Sequence, residues 1–151
     1  MPLNQTFVGR TYPPTEPYEV GLAKIREFAD AIGAPDPAYR DRAAAVALGH
    51  PDVIAPPTFA MVVAMPASRQ IIQDPELGID YSRVVHGDQR FRYTRPVRAG
   101  DRLSCVCVVE EITSRAGNDF LTTRTEMSDA SGGPVVTVWT KLVVRAAGAA
   151  A

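Results

Sequence analysis

Residues 54–65 read Ile-Ala-Pro-Pro-Thr-Phe-Ala-Met-Val-Val-Ala-Met, a run that would be apolar on every side of a helix. A helix that is hydrophobic all round has to be surrounded by protein, so this run predicts a buried central helix. Pro66 should end or kink it, with helical character resuming over 67–73. Downstream the period changes to two. Phe91 and Tyr93 alternate with Arg90 and Arg92, and Leu121 and Thr123 with Arg124 and Glu126. Four antiparallel strands are expected, over 81–95, 101–113, 118–129 and 135–145, joined by glycine-bearing turns at 97–101, 116–118 and 129–133. A curved sheet has one apolar face to bury, and a single all-apolar helix is a suitable filling. The expected fold class is therefore α+β, a hotdog: a long antiparallel sheet wrapped around a central apolar helix.

The N-terminal part prepares that arrangement. Residues 1–17 form an extended lead-in because Pro13, Pro14 and Pro17 restrict it. Leu22, Ile25, Ala29 and Ile32 then recur at helical spacing and stop at Gly33. Asp36 followed by Pro37 reads as a cap for a short Ala-rich helix ending at Gly49. With 151 residues, no linker and only a short Ala-rich tail at 146–151, one domain over 1–151 is expected.

Composition narrows the partners. The net charge of −1 and the pI of 6.1 call for neither nucleic acid nor an anionic membrane. No apolar run reaches the roughly 20 residues of a bilayer span, and the start lacks a signal-peptide pattern, so a cytoplasmic protein is expected. Cys105 and Cys107 sit two apart on a strand, where both thiols share a face and a mutual disulfide is geometrically poor. They read as core thiols. No metal, flavin or nucleotide motif is visible, and no cofactor is expected.

The segment Phe28-Ala-Asp-Ala-Ile-Gly-Ala-Pro-Asp-Pro-Ala-Tyr39 resembles the motif of MaoC-like (R)-specific enoyl-thioester hydratases, roughly F-A-x-x-x-x-D-x-N-P-x-H. The resemblance puts Ala34 at the position of the acid and Tyr39 at that of the base, with Asp36-Pro37 at the Asn-Pro step. Arg95-Pro-Val-Arg-Ala-Gly-Asp101 is similar to the family's F-x-x-P-V-x-x-G-D turn, and the similarity runs over about residues 7 to 145. In catalytic members a glycine N–H before the central helix polarises the thioester carbonyl, a preorganised donor where charge develops. Here Pro57 stands at that position, and proline has no N–H. The pattern is similar to single-hotdog subunits that form the non-catalytic half of actinobacterial (R)-3-hydroxyacyl-ACP dehydratases. The resemblance thus implies no catalytic residue in this chain. It implies an acyl chain held by Phe59, Met61, Val62 and Met65, with Pro56, Pro57 and Thr58 at the mouth, since methionine adapts to a flexible ligand.

Other residues have structural and functional readings side by side. His86 and Asp88 would share one strand face, as an acid–base pair or as surface. His50 is a loop histidine that would edge a substrate mouth if it does more. Asp36 is explained by capping, and Tyr39 by packing. Arg90, Arg92, Arg95 and Arg98 form either a solvated face or a contact for phosphopantetheine or an acidic carrier.

Three functions remain open at this point. The first is a non-catalytic, acyl-binding subunit that pairs with a hotdog protomer carrying the Asp/His pair, in a homodimer or heterodimer, on acyl-ACP or acyl-CoA. The second is a hotdog acyl thioesterase, weakened because residues 58–73 contain no carboxylate. The third is a non-enzymatic homodimeric acyl-thioester or partner-binding module.

Overall fold

The computed structural model describes residues 2–148; the last three residues of the Ala-rich tail lie outside the described residues. The chain forms β1 (Tyr18–Glu19), α1 (Leu22–Ala31), α2 (Arg42–Ala47), α3 (Ala60–Ile72), β2 (Val84–Tyr93), β3 (Arg102–Arg115), β4 (Asn118–Ser128) and β5 (Pro134–Val144). The sheet order is β1-β3-β4-β5-β2, with antiparallel pairing throughout. The sheet curls around α3, which is the expected α+β hotdog arrangement.

Register decides which side chains meet the helix. Cys105 pairs with Met127, Cys107 with Thr125, Thr123 with Thr140 and Phe91 with Val138. Cross-strand partners point the same way, so these positions make up the concave face. The opposite parity, with Arg90 and Arg124 both paired to Trp139, forms the convex face. The tight β3–β4 turn puts both Ala116 (φ 51) and Gly117 (φ 79) at positive φ, as a two-residue hairpin of this hand requires.

The structure corrects several expectations. Residues 81–83 are a 3₁₀ turn rather than strand, because the Asp80 carboxylate accepts from the Ser82 N–H at 3.1 Å and closes the backbone on itself. Residues 5–9 of the lead-in fold into a 3₁₀ turn and a turn at Gly9 (φ 87), and the rest is extended but no loose strap. Gly9, Tyr12 and Thr15 donate backbone bonds to Val109, Cys107 and Cys105, covering the β3 edge, and Tyr18–Glu19 adds the short fifth strand. Asp36 caps only a 3₁₀ turn; the Ala-rich α2 is capped by Asp41, which accepts from the Ala44 N–H at 3.0 Å.

Pro66 neither ends nor interrupts the central helix, which runs on through it to Ile72. Its side chain lies on the exposed side, where water can take up a carbonyl left without its N–H partner. Exposure at that helix surface also overturns the expectation of burial on every side. Val63, Ala64 and Ala67 are buried against the sheet, yet Met65 is 52% exposed and Met61 and Val62 are half-buried. One apolar face of α3 stays uncovered in the single chain.

His86 and Asp88 do not share a face. The β2–β5 register shifts between them, and Gly87 is the extra residue of a β-bulge. A Cβ on Gly87 would lie 3.0 Å from Val143 Cγ2 and 3.3 Å from the Lys141 carbonyl, so glycine suits the bulge. The bulge turns His86 to the concave face and leaves Asp88 on the convex one.

Candidate functional site

The segment after α1, which by resemblance lies where the family's catalytic loop would be, commits its polar atoms internally. Gly33 (φ 68) closes the helix, and the Ala34 N–H donates to the Ala29 carbonyl at 2.8 Å. Arg40 donates to the Ala34 carbonyl at 2.8 Å and to the Asp30 carboxylate. Arg26 in turn donates to the Arg40 carbonyl at 2.9 and 2.6 Å. The Asp36 carboxylate accepts from the Ala38 N–H at 2.9 Å, which explains that residue as a cap. Tyr39 packs half-buried against the core. Ala34 offers no titratable atom, and no carboxylate–imidazole pair forms among the described residues of this loop.

The loop leading into α3 is held from two sides. Ala55 N–H donates to the Val97 carbonyl at 2.7 Å, and Ile54 bridges to Arg98. The Tyr93 hydroxyl donates to the Pro57 carbonyl, and burial pushes that phenol up to about 12. Pro57 therefore presents an engaged acceptor and no donor. Phe59 is fully buried, edge-on to Phe28 at 5.4 Å and to Tyr18 at 6.5 Å.

A cavity of about 600 Å³ opens between the C-terminal half of α3 and the concave face of β2, β4 and β5. Met61 and Met65 line it from the helix, and Val84, Leu121 and Leu142 from the sheet. Of the residues the sequence put forward for an acyl site, only those two methionines line this cavity. Val62, Pro56, Pro57, Thr58 and Phe59 lie outside its lining, Phe59 because it is core and Pro57 and Thr58 because they are exposed at the other end of the helix.

The cavity also has a polar side that sequence reasoning did not assemble. His86 Nε2 lies 3.0 Å from Gln89 Oε1, the Thr140 hydroxyl donates to the same oxygen at 3.0 Å, and Gln89 Nε2 donates to the Trp139 carbonyl at 2.8 Å. Parity along β5 was a usable signal for Thr140 and Leu142. His86 was hidden by the bulge.

The remaining candidates separate. Arg90 and Arg92 stack over Trp139 on the convex face, at 4.3 and 5.2 Å from its ring. Arg95 instead forms a structural clamp, donating to Asp101 at 2.9 and 3.0 Å and to Asp129 at 3.2 Å. The Ser131 hydroxyl, the Gly133 N–H and Arg95 hold the Asp129 carboxyl down at about 2. The four arginines are thus no single cluster. Burial pushes Cys105 up to about 12 and raises Cys107 too, which makes both weak nucleophiles and poor metal ligands. Among the described residues no group of three His, Cys, Asp or Glu is placed to hold a metal, and no helix is long and apolar enough to cross a membrane.

The geometry has counterparts in known proteins. A UPF0336 protein of Streptomyces coelicolor is 63% identical over 97% of this chain and 98% of its own length. A solved MaoC-like dehydratase superposes with a TM-score of 0.88 and 34% identity over 95% of this chain. The present chain spans only 43% of that protein. The C-terminally truncated HadBC (3R-hydroxyacyl-ACP dehydratase) complex from Mycobacterium tuberculosis matches with a TM-score of 0.81 and 29% identity, over 91% of this chain and 96% of the other. The family model for the FAS1-like dehydratase domain region matches residues 6–138. With that match over most of its length, and a MaoC-like fold around an uncovered helix, this chain belongs to the FAS1-like dehydratase-region family.

Proposed function

We propose that this chain is the non-catalytic, acyl-chain-binding subunit of a MaoC-like (R)-3-hydroxyacyl-thioester dehydratase. Its partner would be a second hotdog protomer that supplies the Asp/His pair and the oxyanion N–H, and its ligand an acyl chain on ACP or CoA. The observation that carries this reading is the loop around Ala34 and Tyr39, which keeps its fold through Arg40 and Asp36 while presenting no acid–base pair. Pro57 supports it further, because proline has no N–H to serve as an oxyanion donor.

Two features support a partner. Among the described residues strand β2 is paired only to β5, which leaves its other edge open, and an open edge of ten residues invites another strand. Val62 and Met65 leave an apolar face of α3 uncovered in the single chain. The reduced share of the larger MaoC-like dehydratase that this chain spans also favours half of a composite enzyme.

The test is hydration of crotonyl-CoA by the purified chain, followed as loss of enoyl-thioester absorbance. Background turnover is expected, because general acid–base catalysis contributes about 10²–10⁴-fold. Turnover within about tenfold of an ordinary hydratase would sink the proposal. Ala34→Asp with Tyr39→His should still fall short of full activity, since Pro57 supplies no donor. Co-purification from the native host should bring down a hotdog protein with an intact D-x-N-P-x-H motif.

A further inference from the structure

We propose that the cavity beneath α3 selects an acyl chain that carries a hydroxyl on its distal part, recognised by His86 and Thr140. The inference rests on the acyl-holding role above and adds a substrate class to it. It comes from counting hydrogen-bond donors and acceptors on the sheet wall of the cavity.

Gln89 sets that count. Its amide nitrogen donates to the Trp139 carbonyl at 2.8 Å, and a carbonyl can only accept, so the orientation of the amide is determined. Its Oε1 then faces both the Thr140 hydroxyl and His86 Nε2, each at 3.0 Å. An amide oxygen donates nothing, so Nε2 of His86 carries the proton. In a neutral imidazole that leaves Nδ1 as a bare acceptor. Thr140 has spent its one proton on Gln89 and keeps lone pairs only. Thr123 adds a second hydroxyl to this wall. The sheet wall therefore offers acceptors, while Met61, Met65 and Leu142 around it offer hydrocarbon and thioether. Arg69, Gln73 and Tyr81 also line the cavity and, like His86, are exposed to water, and the half-buried Ser68 adds a hydroxyl on the helix side. A plain alkyl chain packed on the sheet wall would displace water from its acceptors without replacing the lost hydrogen bonds. A chain with a hydroxyl would satisfy one of them.

The bulge argues that this wall is built rather than incidental. Ordinary alternation from Gln89 would put Gly87 on the concave face and His86 on the convex one. The extra residue reverses this and places the imidazole beside the Gln89 amide. Position argues that the recognised hydroxyl is not the one at the reacting carbon. Tyr93, at the other end of β2, touches Pro57 in the loop before the helix. From there to His86 the strand runs roughly 20 Å, so the acceptor wall meets the far part of a chain whose thioester lies at the loop.

The experiment uses the purified chain and displacement of a fluorescent fatty acid by palmitate or ω-hydroxypalmitate. Wild type is expected to bind ω-hydroxypalmitate about tenfold more tightly. His86→Phe and Thr140→Val should each bring the two affinities within about twofold of one another, with melting curves confirming that each variant folds. Met61→Trp should weaken both ligands. Equal affinities in wild type, or a preference that survives both wall substitutions, would overturn the hydroxyl inference and leave the acyl-holding role standing. No binding of either fatty acid would overturn both.

Discussion

The two halves of the concave face follow one strand periodicity and end in different states. Over β3 the helix sits directly on the sheet. Leu103, Cys105, Cys107 and Val109 are fully buried, and the Cys105 thiol lies 3.6 Å from the Val63 carbonyl. Over β2 and the parts of β4 and β5 that line the cavity the helix withdraws, leaving Leu142 and Val84 half-buried and His86 exposed. Widths explain the difference. Five strands span roughly 19 Å across the sheet, while a helix with its side chains is only about 10 Å wide. One helix finishes one half of the core. The other half stays open in the single chain, where His86 and Thr140 stand beside Val84, Leu121 and Leu142.

The sharpest contrast should be chemical. With Cys105 at about 12, its thiolate fraction at pH 8 is roughly one part in ten thousand. Native protein should leave both thiols untouched by Ellman's reagent, and unfolding in guanidinium should release both. Rapid labelling of the native state would mean that the covered half is open. The next largest effect should be Leu103→Ala, which empties a fully buried site. A loss of about 2–5 kcal/mol in denaturant unfolding is expected.

Gly87→Ala tests the hinge of the open half. The new methyl would press on Val143 and the Lys141 carbonyl, costing about 1–3 kcal/mol by overpacking and moving His86 away from Gln89. A matching loss of the ω-hydroxypalmitate preference would tie the bulge to the wall. Met61→Trp should fill the cavity and leave partner association intact. The reconstituted complex should lose about tenfold in activity on long acyl thioesters, near 1.4 kcal/mol, and little on four-carbon ones. Equal loss at every chain length would mean that the helix only supports the fold. The smallest effect should be Met65→Ala in the isolated chain, within about 0.5 kcal/mol in thermal unfolding, because Met65 is 52% exposed there. The same substitution should cost more once the partner is bound.

Local signals were legible wherever a local rule governs. The alternation of Phe91 and Tyr93 with Arg90 and Arg92 and the glycine turns sufficed for the four long strands, and the apolar run at 54–65 for the central helix. The same rules failed where a neighbouring strand decides. Alternation put His86 and Asp88 on one face, but the bulge exists because β5 pairs on both sides of Gly87. An all-apolar helix was read as buried all round, yet apolarity records what a helix finally packs against and not whether this chain supplies it. The methionines of the cavity were visible as adaptable apolar residues. The hydrogen bond between Thr140 and Gln89 was not, since nothing in sequence pairs residues 51 positions apart.

What the sequence by itself determined was composition at named positions: Ala34 without an acid, Tyr39 without an imidazole, Pro57 without an N–H. Such absences are covalent facts that no folding can repair. What only the tertiary structure decided was which side chains share a space. Strand order brings β2 beside β5, the bulge turns His86 inward, and the width of one helix leaves half of the concave face uncovered. Those outcomes depend on long-range pairing and packing, because a hydrogen bond or a cavity belongs to several segments at once and is encoded in none of them alone.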